Sequence, residues 1–262
     1  MHNFEFVKPG SVAEAAEALA HEDAQALGGG QTLIPTMKQR LNAPETLVSL
    51  TGIAEMKGVN ASGGTLTVGG ATTHGTVAAE AASAYPALAA LAGKIGDPAV
   101  RNRGTIGGSL ANNDPAACYP AAALASGATI TTNTRDIAAD DFFEGMFTTA
   151  LNEGEIITSV SFPIPEKASY QKFEQPASRF SLVGVFLAKH ANGVRVAVTG
   201  ASNDGVFRWT EAEEALNATF SPEALDGLSA SADEMISDLH GTAEYRAHLI
   251  GVMTKRAVAA AS

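Results

Sequence analysis

Apolar and polar positions regroup along this chain in a pattern that predicts strand, helix, strand, helix, strand within about the first 50 residues. Phe4-Glu5-Phe6-Val7 alternates and stops at Pro9-Gly10, which reads as a short strand and a turn. Ser11-Val12-Ala13-Glu14 has the form of a capping box, and Val12, Ala15, Ala16 and Leu19 fall on one face of a helix running to about Ala20. Gln25 to Leu27 reads as a second strand, Thr36 to Leu41 as a short helix and Thr46 to Leu50 as a third strand. Asn60-Ala61-Ser62-Gly63-Gly64 interrupts the pattern. Beyond it the spacing predicts a strand over Thr65–Val68, a helix over Tyr85–Ile95 and an Ala-rich helix to about Ala125. A strand over Ala128–Thr132, a short helical piece over Phe142–Thr149 and a strand over Ile156–Phe162 follow, ending at Pro163-Ile164-Pro165. After Pro165, Ser181–Lys189 and Val194–Thr199 read as an antiparallel hairpin, because the Asn192-Gly193 pair accepts the positive φ of a tight turn. Glu211–Leu216, Ser221–Ile236 and Tyr245–Ala260 read as helices. The expected class is α+β: two N-terminal α/β subdomains, 1–58 and 59–166, then a smaller α+β domain over 167–262 with an antiparallel sheet and helices.

Glycine distribution adds chemistry to this outline. Gly28-Gly29-Gly30-Gln31-Thr32-Leu33 follows the second strand; Gly69-Gly70-Ala71-Thr72-Thr73-His74 and Gly104-Thr105-Ile106-Gly107-Gly108-Ser109 repeat the style, with small residues and hydroxyls beside a helix start. Glycine lets a ligand approach the main chain, and successive N–H groups can face an anion. A single such run reads equally well as a flexible turn; the recurrence favours a diphosphate held between two loops. The Gly-x-Gly-x-x-Gly order of a Rossmann site and the Gly-x-x-x-x-Gly-Lys-Ser/Thr order of a triphosphate loop are both missing, so the expectation is a large dinucleotide in a non-Rossmann fold. His74 reads either as a cofactor contact or as a helix-start residue, and Asp114 either as an acceptor for a sugar-like hydroxyl or as a cap before Pro115. Arg101 and Arg103 either balance a diphosphate or are ordinary surface charges. Cys118 reads most simply as a small buried apolar residue.

Composition narrows the choice. With 17 Lys and Arg against 28 Asp and Glu, the net charge is −11, which argues against a general nucleic-acid or anionic-membrane binder. The single cysteine among 262 residues cannot build a disulfide, a cysteine-based metal site or an iron–sulfur cluster alone. No signal-peptide pattern opens the chain and no apolar run is long enough to span a bilayer, so a cytoplasmic protein is expected.

Four collinear motifs carry a resemblance. Gly28 to Lys38, Gly70 to His74, Arg103 to Ser109, and Asp114-Pro115-Ala116-Ala117 together resemble the FAD-binding medium subunit of molybdenum hydroxylases, the carbon monoxide dehydrogenase and xanthine dehydrogenase type. The similarity runs from Phe4 to about Thr199, with a less distinctive likeness beyond. It implies a PCMH-type FAD site between the two N-terminal subdomains. Gly28, Gly29, Gly30, Gln31, Thr32 and Leu33 would hold the diphosphate with Thr105, Gly107, Gly108 and Ser109. Ala71, Thr72, Thr73 and His74 would line the flavin and ribityl region, with Ile157 and Lys172 near the cofactor. In many relatives the Asp-Pro-Ala-Ala run ends in a second aspartate; Cys118 stands there in this chain, and a thiol is a poor acceptor, so Asp114 or Asn113 would take over the contact. The resemblance further implies a molybdopterin-binding large subunit and a [2Fe–2S] small subunit as partners, in a dimer of heterotrimers, with no metal and no catalytic side chain in this chain. A stand-alone flavin oxidoreductase and a flavin-free scaffold are the alternatives.

Overall fold

A computed structural model describes residues 1–261. The first unit comprises β1 (Glu5–Val7), α1 (Val12–Leu19), β2 (Ala24–Leu27), α2 (Leu33–Lys38) and β3 (Thr46–Ser49). The strands make a parallel sheet in the order β1-β3-β2, with Val7 and Ala26 both opposite Val48. Ser11 Oγ accepts from Glu14 N at 3.2 Å, whereas the Glu14 carboxylate accepts from Gly10 N at 2.7 Å, one residue short of the expected return contact. The α2 helix starts three residues earlier than the Thr36–Leu41 expectation and stops at Lys38, since Pro35 is tolerated in a first turn where its missing N–H has no helical partner. Ala15 and Leu19 of α1 pack with Val48, Ile53, Met56, Ala71 and Ile156, which joins this unit to the next.

The second unit holds β4 (Val59–Ser62), β5 (Thr65–Gly69), α3 (His74–Glu80), α4 (Pro86–Gly93), α5 (Pro98–Arg101), α6 (Ile106–Asn112), α7 (Tyr119–Ser126), β6 (Thr129–Thr132), β7 (Asp136–Ala138), β8 (Phe143–Gly145), β9 (Thr148–Thr149) and β10 (Ile157–Pro163). Its antiparallel sheet runs β4-β5-β10-β6-β7. The segment Phe142–Thr149 is the β8–β9 hairpin, not a helix: Phe147 takes φ 56° at its turn, where a helix cannot continue. Gly107, Gly108 and Ser109, expected in a loop, lie in the first turn of α6, whose N-cap Thr105 accepts from Gly108 N at 3.2 Å. Every residue of α7 is buried. Its alanines let this helix pack between the second sheet and the C-terminal sheet.

The C-terminal unit comprises β11 (Lys167–Glu174), β12 (Ser181–His190), β13 (Gly193–Ser202), β14 (Gly205–Arg208), α8 (Thr210–Ala218) and α9 (Ala243–Ala260), its strands forming an antiparallel meander. The β12–β13 hairpin matches expectation, and the positive φ of its turn falls on Gly193, at 143°. β11 and β14 extend the sheet beyond the sequence reading. The helix expected over Ser221–Ile236 is a single short turn at Pro222–Leu225. Gly227 then takes φ 82°, and Ser231 Oγ accepts from Asp233 N at 3.2 Å, a local bond that competes with helical pairing. Buried Arg246 on α9 donates to the carbonyls of Leu182 and Gly200 and to Asp238, tying α9 to the sheet.

Candidate functional site

The strand β2 delivers Gly28–Gly30 to one wall of a cleft of about 620 Å³. The N–H groups of Gly28, Gly29, Gly30, Gln31, Thr32 and Leu33 have no acceptor among the described residues. Gly30 sits at φ 71°, a conformation that favours glycine. Six consecutive donors left free on a loop that opens with three glycines suit a diphosphate.

The opposing segment is built differently. Gly107 N donates to Gly70 O at 2.9 Å, Gly108 N to Thr105 Oγ1 and Ser109 N to Thr105 O at 3.0 Å, so these amides are already engaged. This side therefore contributes close approach and the Ser109 and Thr105 hydroxyls, while the first loop contributes the free amides. The glycines also divide by role. A Cβ on Gly29 would overlap the Arg103 carbonyl, one on Gly107 would meet Gly70 O at 2.7 Å, and one on Gly104 would meet His74 Nε2 at 2.5 Å. Gly29 and Gly107 let the loops meet backbone to backbone, and Gly104 leaves room for the His74 ring. Gly108 is exposed in the cleft, and its nearest obstacle is Thr105 Oγ1 at 3.0 Å; its missing side chain keeps the ligand surface clear.

Of the residues expected at the site, Gly28 to Leu33, Ala71, His74, Thr105, Gly107, Gly108, Ser109, Asp114, Ile157 and Lys172 line this one cleft. Thr72, Thr73 and Asn113 do not. Thr72 Oγ1 accepts from Gly58 N at 2.9 Å and donates to Gly58 O at 3.1 Å. Thr73 caps α3 by accepting from Thr76 N at 3.3 Å. Asn113, left-handed at φ 41°, turns its amide to the β8–β9 hairpin. Asp114 Oδ1 accepts from Ala116 N at 2.8 Å, which caps a turn and leaves Oδ2 without a protein partner among the described residues. Lys172 reaches from β11 to donate to Lys94 O at 2.9 Å, placing an ammonium at the end of α4 inside the cleft. Cys118 lines the cleft with its Sγ 3.7 Å from Ser181 Oγ, which lies 3.2 Å from the Tyr170 hydroxyl.

His74 donates its main-chain N–H to Gly104 O at 2.9 Å, and its ring lies 5.3 Å from that of Tyr119. Its Nδ1 has no protein partner among the described residues although the residue is 5% exposed. Burial first, then the Arg101 charge, lowers its pKa to about 4. The folded pKa lies below the unfolded value, so stability held at neutral pH is lost as pH falls from 6.5 towards 4. A shift of that size corresponds to about 3 kcal/mol. Urea unfolding at pH 7 and pH 5 should show roughly 2 kcal/mol of this loss, and His74→Gln should flatten it; His190, lowered in the same direction by burial, leaves a residual slope of the same sign.

Some of the lining carries signals too weak to read in sequence. Ile95, Gly96 and Val100, and the turn Ser178-Arg179-Phe180 from the C-terminal unit, all border the cleft. Phe180 is 53% exposed there, an aromatic held at the mouth by a turn in which Arg179 takes φ 61°. An isolated Phe in a polar loop gives the sequence no cue of this kind.

Comparison with known proteins supplies the relationship. A family model described as "FAD binding domain in molybdopterin dehydrogenase" matches residues 2–165, and one described as "CO dehydrogenase flavoprotein C-terminal domain" matches residues 168–261. The chain is 31% identical to the carbon monoxide dehydrogenase medium chain of Afipia carboxidovorans, over 98% of this chain and 96% of the relative. It is 33% identical to the nicotine 6-hydroxylase medium subunit of Paenarthrobacter nicotinovorans, over 97% and 95%. A solved carbon monoxide dehydrogenase from Hydrogenophaga pseudoflava, lacking the Mo-pyranopterin moiety of its molybdenum cofactor, superposes with a TM-score of 0.89 at 33% identity, over 99% of this chain and 97% of that one.

Proposed function

The chain belongs to the FAD-binding subunits of molybdopterin-dependent dehydrogenases, and from that membership we propose that it takes electrons from [2Fe–2S] clusters of a partner subunit and passes them through FAD to an external acceptor. It is an FAD-binding oxidoreductase subunit. The observation that carries the reading is the run of six main-chain donors, without an acceptor among the described residues, on a loop that lines an open cleft. FAD, when bound, would supply a store in which two electrons arriving singly are pooled for an acceptor.

The chain's own residues bind and orient. Gly28 to Leu33 would donate to the diphosphate, Gly108 would leave it room, and Ser109 would add a hydroxyl. Asp114, with its free Oδ2, would accept from the ribityl chain where Cys118 cannot. Ala71, His74, Ile157 and Lys172 would flank the ring system, His74 in its neutral form at physiological pH. Phe180 would cover the cleft mouth and exclude water. Thr72, Thr73 and Asn113 support these elements from behind. In this reading units 1–58 and 59–166 enclose the cofactor and 167–262 lends Lys172 and the covering turn. Substrate hydroxylation belongs to a molybdopterin-binding large subunit, with a [2Fe–2S] small subunit between, in a cytoplasmic dimer of heterotrimers.

Purification of the tagged chain from its native host tests this. Flavin, iron and molybdenum are expected with it. A metal-free chain that turns over a substrate alone, or one with no flavin band and no FAD uptake, would contradict the proposal.

A further inference from the structure

The glycine loop that lines the cofactor cleft also lines a second cavity. Gly29 to Gln31 form one side of this cavity of about 310 Å³, and its other walls include Ile34 and Lys38, one turn apart on α2, and Arg103 from the second unit. The Arg103 main chain lies against Gly29, where an added Cβ would overlap its carbonyl, so the guanidinium starts from a residue already in contact with the loop. Lys38 and Arg103 are exposed, and neither forms an ion pair among the described residues. No carboxylate lines this cavity among the described residues.

Charge connects the cavity to the cleft. A diphosphate is doubly anionic, and the amides that would receive it are neutral. Among the cleft's own lining, Lys172 and Arg179 stand against Asp114 and Glu155, so cations and carboxylates cancel there. Lys172 is already engaged with Lys94 O at the end of α4, and the whole chain carries a net charge of −11. The uncommitted cations beside the glycine loop are the two in the second cavity. Gly29 and Gly30 place no side chain in the wall they share with the cleft, and a charge acts across several ångströms where a thin wall of protein replaces water.

We infer that Lys38 and Arg103 supply, from behind the glycine wall, the positive field that holds the FAD diphosphate on the loop amides. This rests on the FAD reading above and adds residues that the glycine motif does not contain. The test is FAD affinity of the assembly after its flavin has been removed, for wild type and for the double variant Lys38→Gln with Arg103→Gln. The variant is expected to bind FAD roughly tenfold or more weakly at low ionic strength, where the screening length is about 30 Å, with the two affinities converging near about 1 M salt, where it is about 3 Å. Its flavin-free melting temperature is expected to match wild type, since both side chains are exposed and make no ion pair. Lys38→Arg with Arg103→Lys keeps both charges and is expected to bind as wild type does. Wild-type affinity in the glutamine variant at low salt, or a loss that salt does not diminish, would overturn the inference and leave the FAD reading intact. Loss of co-purifying iron and molybdenum with unchanged FAD affinity would also overturn it, and would give the two cations to an acidic surface of a partner. Failure of the wild-type assembly to take up FAD at all would instead overturn the FAD reading on which the inference rests.

Discussion

Gly29→Val is expected to abolish FAD binding and to destabilise the chain at the same time, whereas Gly108→Val abolishes binding and leaves the fold in place. The difference follows from what each missing Cβ would meet. At Gly29 it overlaps the Arg103 carbonyl, which belongs to the backbone of the opposing segment, so the two loops must separate. Overpacking of that kind costs about 1–3 kcal/mol or more. Separation also scatters the free amides of Gly28 to Leu33; losing two hydrogen bonds to a charged diphosphate lowers affinity roughly 100-fold or more. At Gly108 the added side chain projects where only Thr105 Oγ1 stands, at 3.0 Å, and fills the ligand's space instead of displacing backbone. Flavin content per chain and thermal melts of both variants check the pair. Full FAD content in Gly108→Val would remove this segment from the site.

Glu155→Ala is expected to lower stability by about 1–3 kcal/mol, the cost of leaving buried donors without their acceptor. The side chain is 2% exposed and lines the cleft beside Ile156 and Ile157. It accepts from Thr132 at 2.7 Å, Thr134 at 2.8 Å, Asn152 N at 2.8 Å and twice from Arg135 at 3.0 Å. Arg135, 43% exposed, regains water when the carboxylate goes, but the Asn152 amide and the hydroxyls lose their acceptor. The bonds from Arg135, opposed by desolvation and reinforced by those from Asn152 and the threonines, hold the Glu155 carboxyl well below the usual range. Its contribution is therefore present above the unfolded carboxylate value and is lost as pH falls through the acid range below about 4.5. Urea unfolding at pH 7 measures the loss, and Glu155→Gln, which keeps one acceptor oxygen, should recover part of it. An unchanged midpoint in Glu155→Ala would refute the network's role.

The parts of this molecule that were legible in sequence are those governed by short-range periodicity and by glycine. The Ser11 cap, the β2 entry into Gly28–Gly30 and the β12–β13 hairpin each depend on residues within a few positions of one another. Phe142–Thr149 and Ser221–Ile236 misled for the same reason: local apolar spacing suggested helices. A contact from Asn113, about 30 residues away, and side-chain bonds of Ser231 decide otherwise. At the site, the glycine loops announced themselves, but their division of labour did not. That Gly107 packs on Gly70 while Gly108 faces the cleft is a property of three segments brought together, as is the arrival of Phe180 from another unit. Thr72, Thr73 and Asn113 have the chemistry of ligands and the placement of supports, which residue type alone cannot separate.

The central claim is that the main chain of Gly28 to Leu33 grips the diphosphate of FAD. The most direct test is cofactor uptake by the chain in its own assembly after the flavin has been removed, with FAD and riboflavin offered at equal concentration. The account predicts one FAD per chain and no retained riboflavin, since riboflavin carries the ring and ribityl chain but no diphosphate. Equal retention of the two, or no uptake of either, would contradict it.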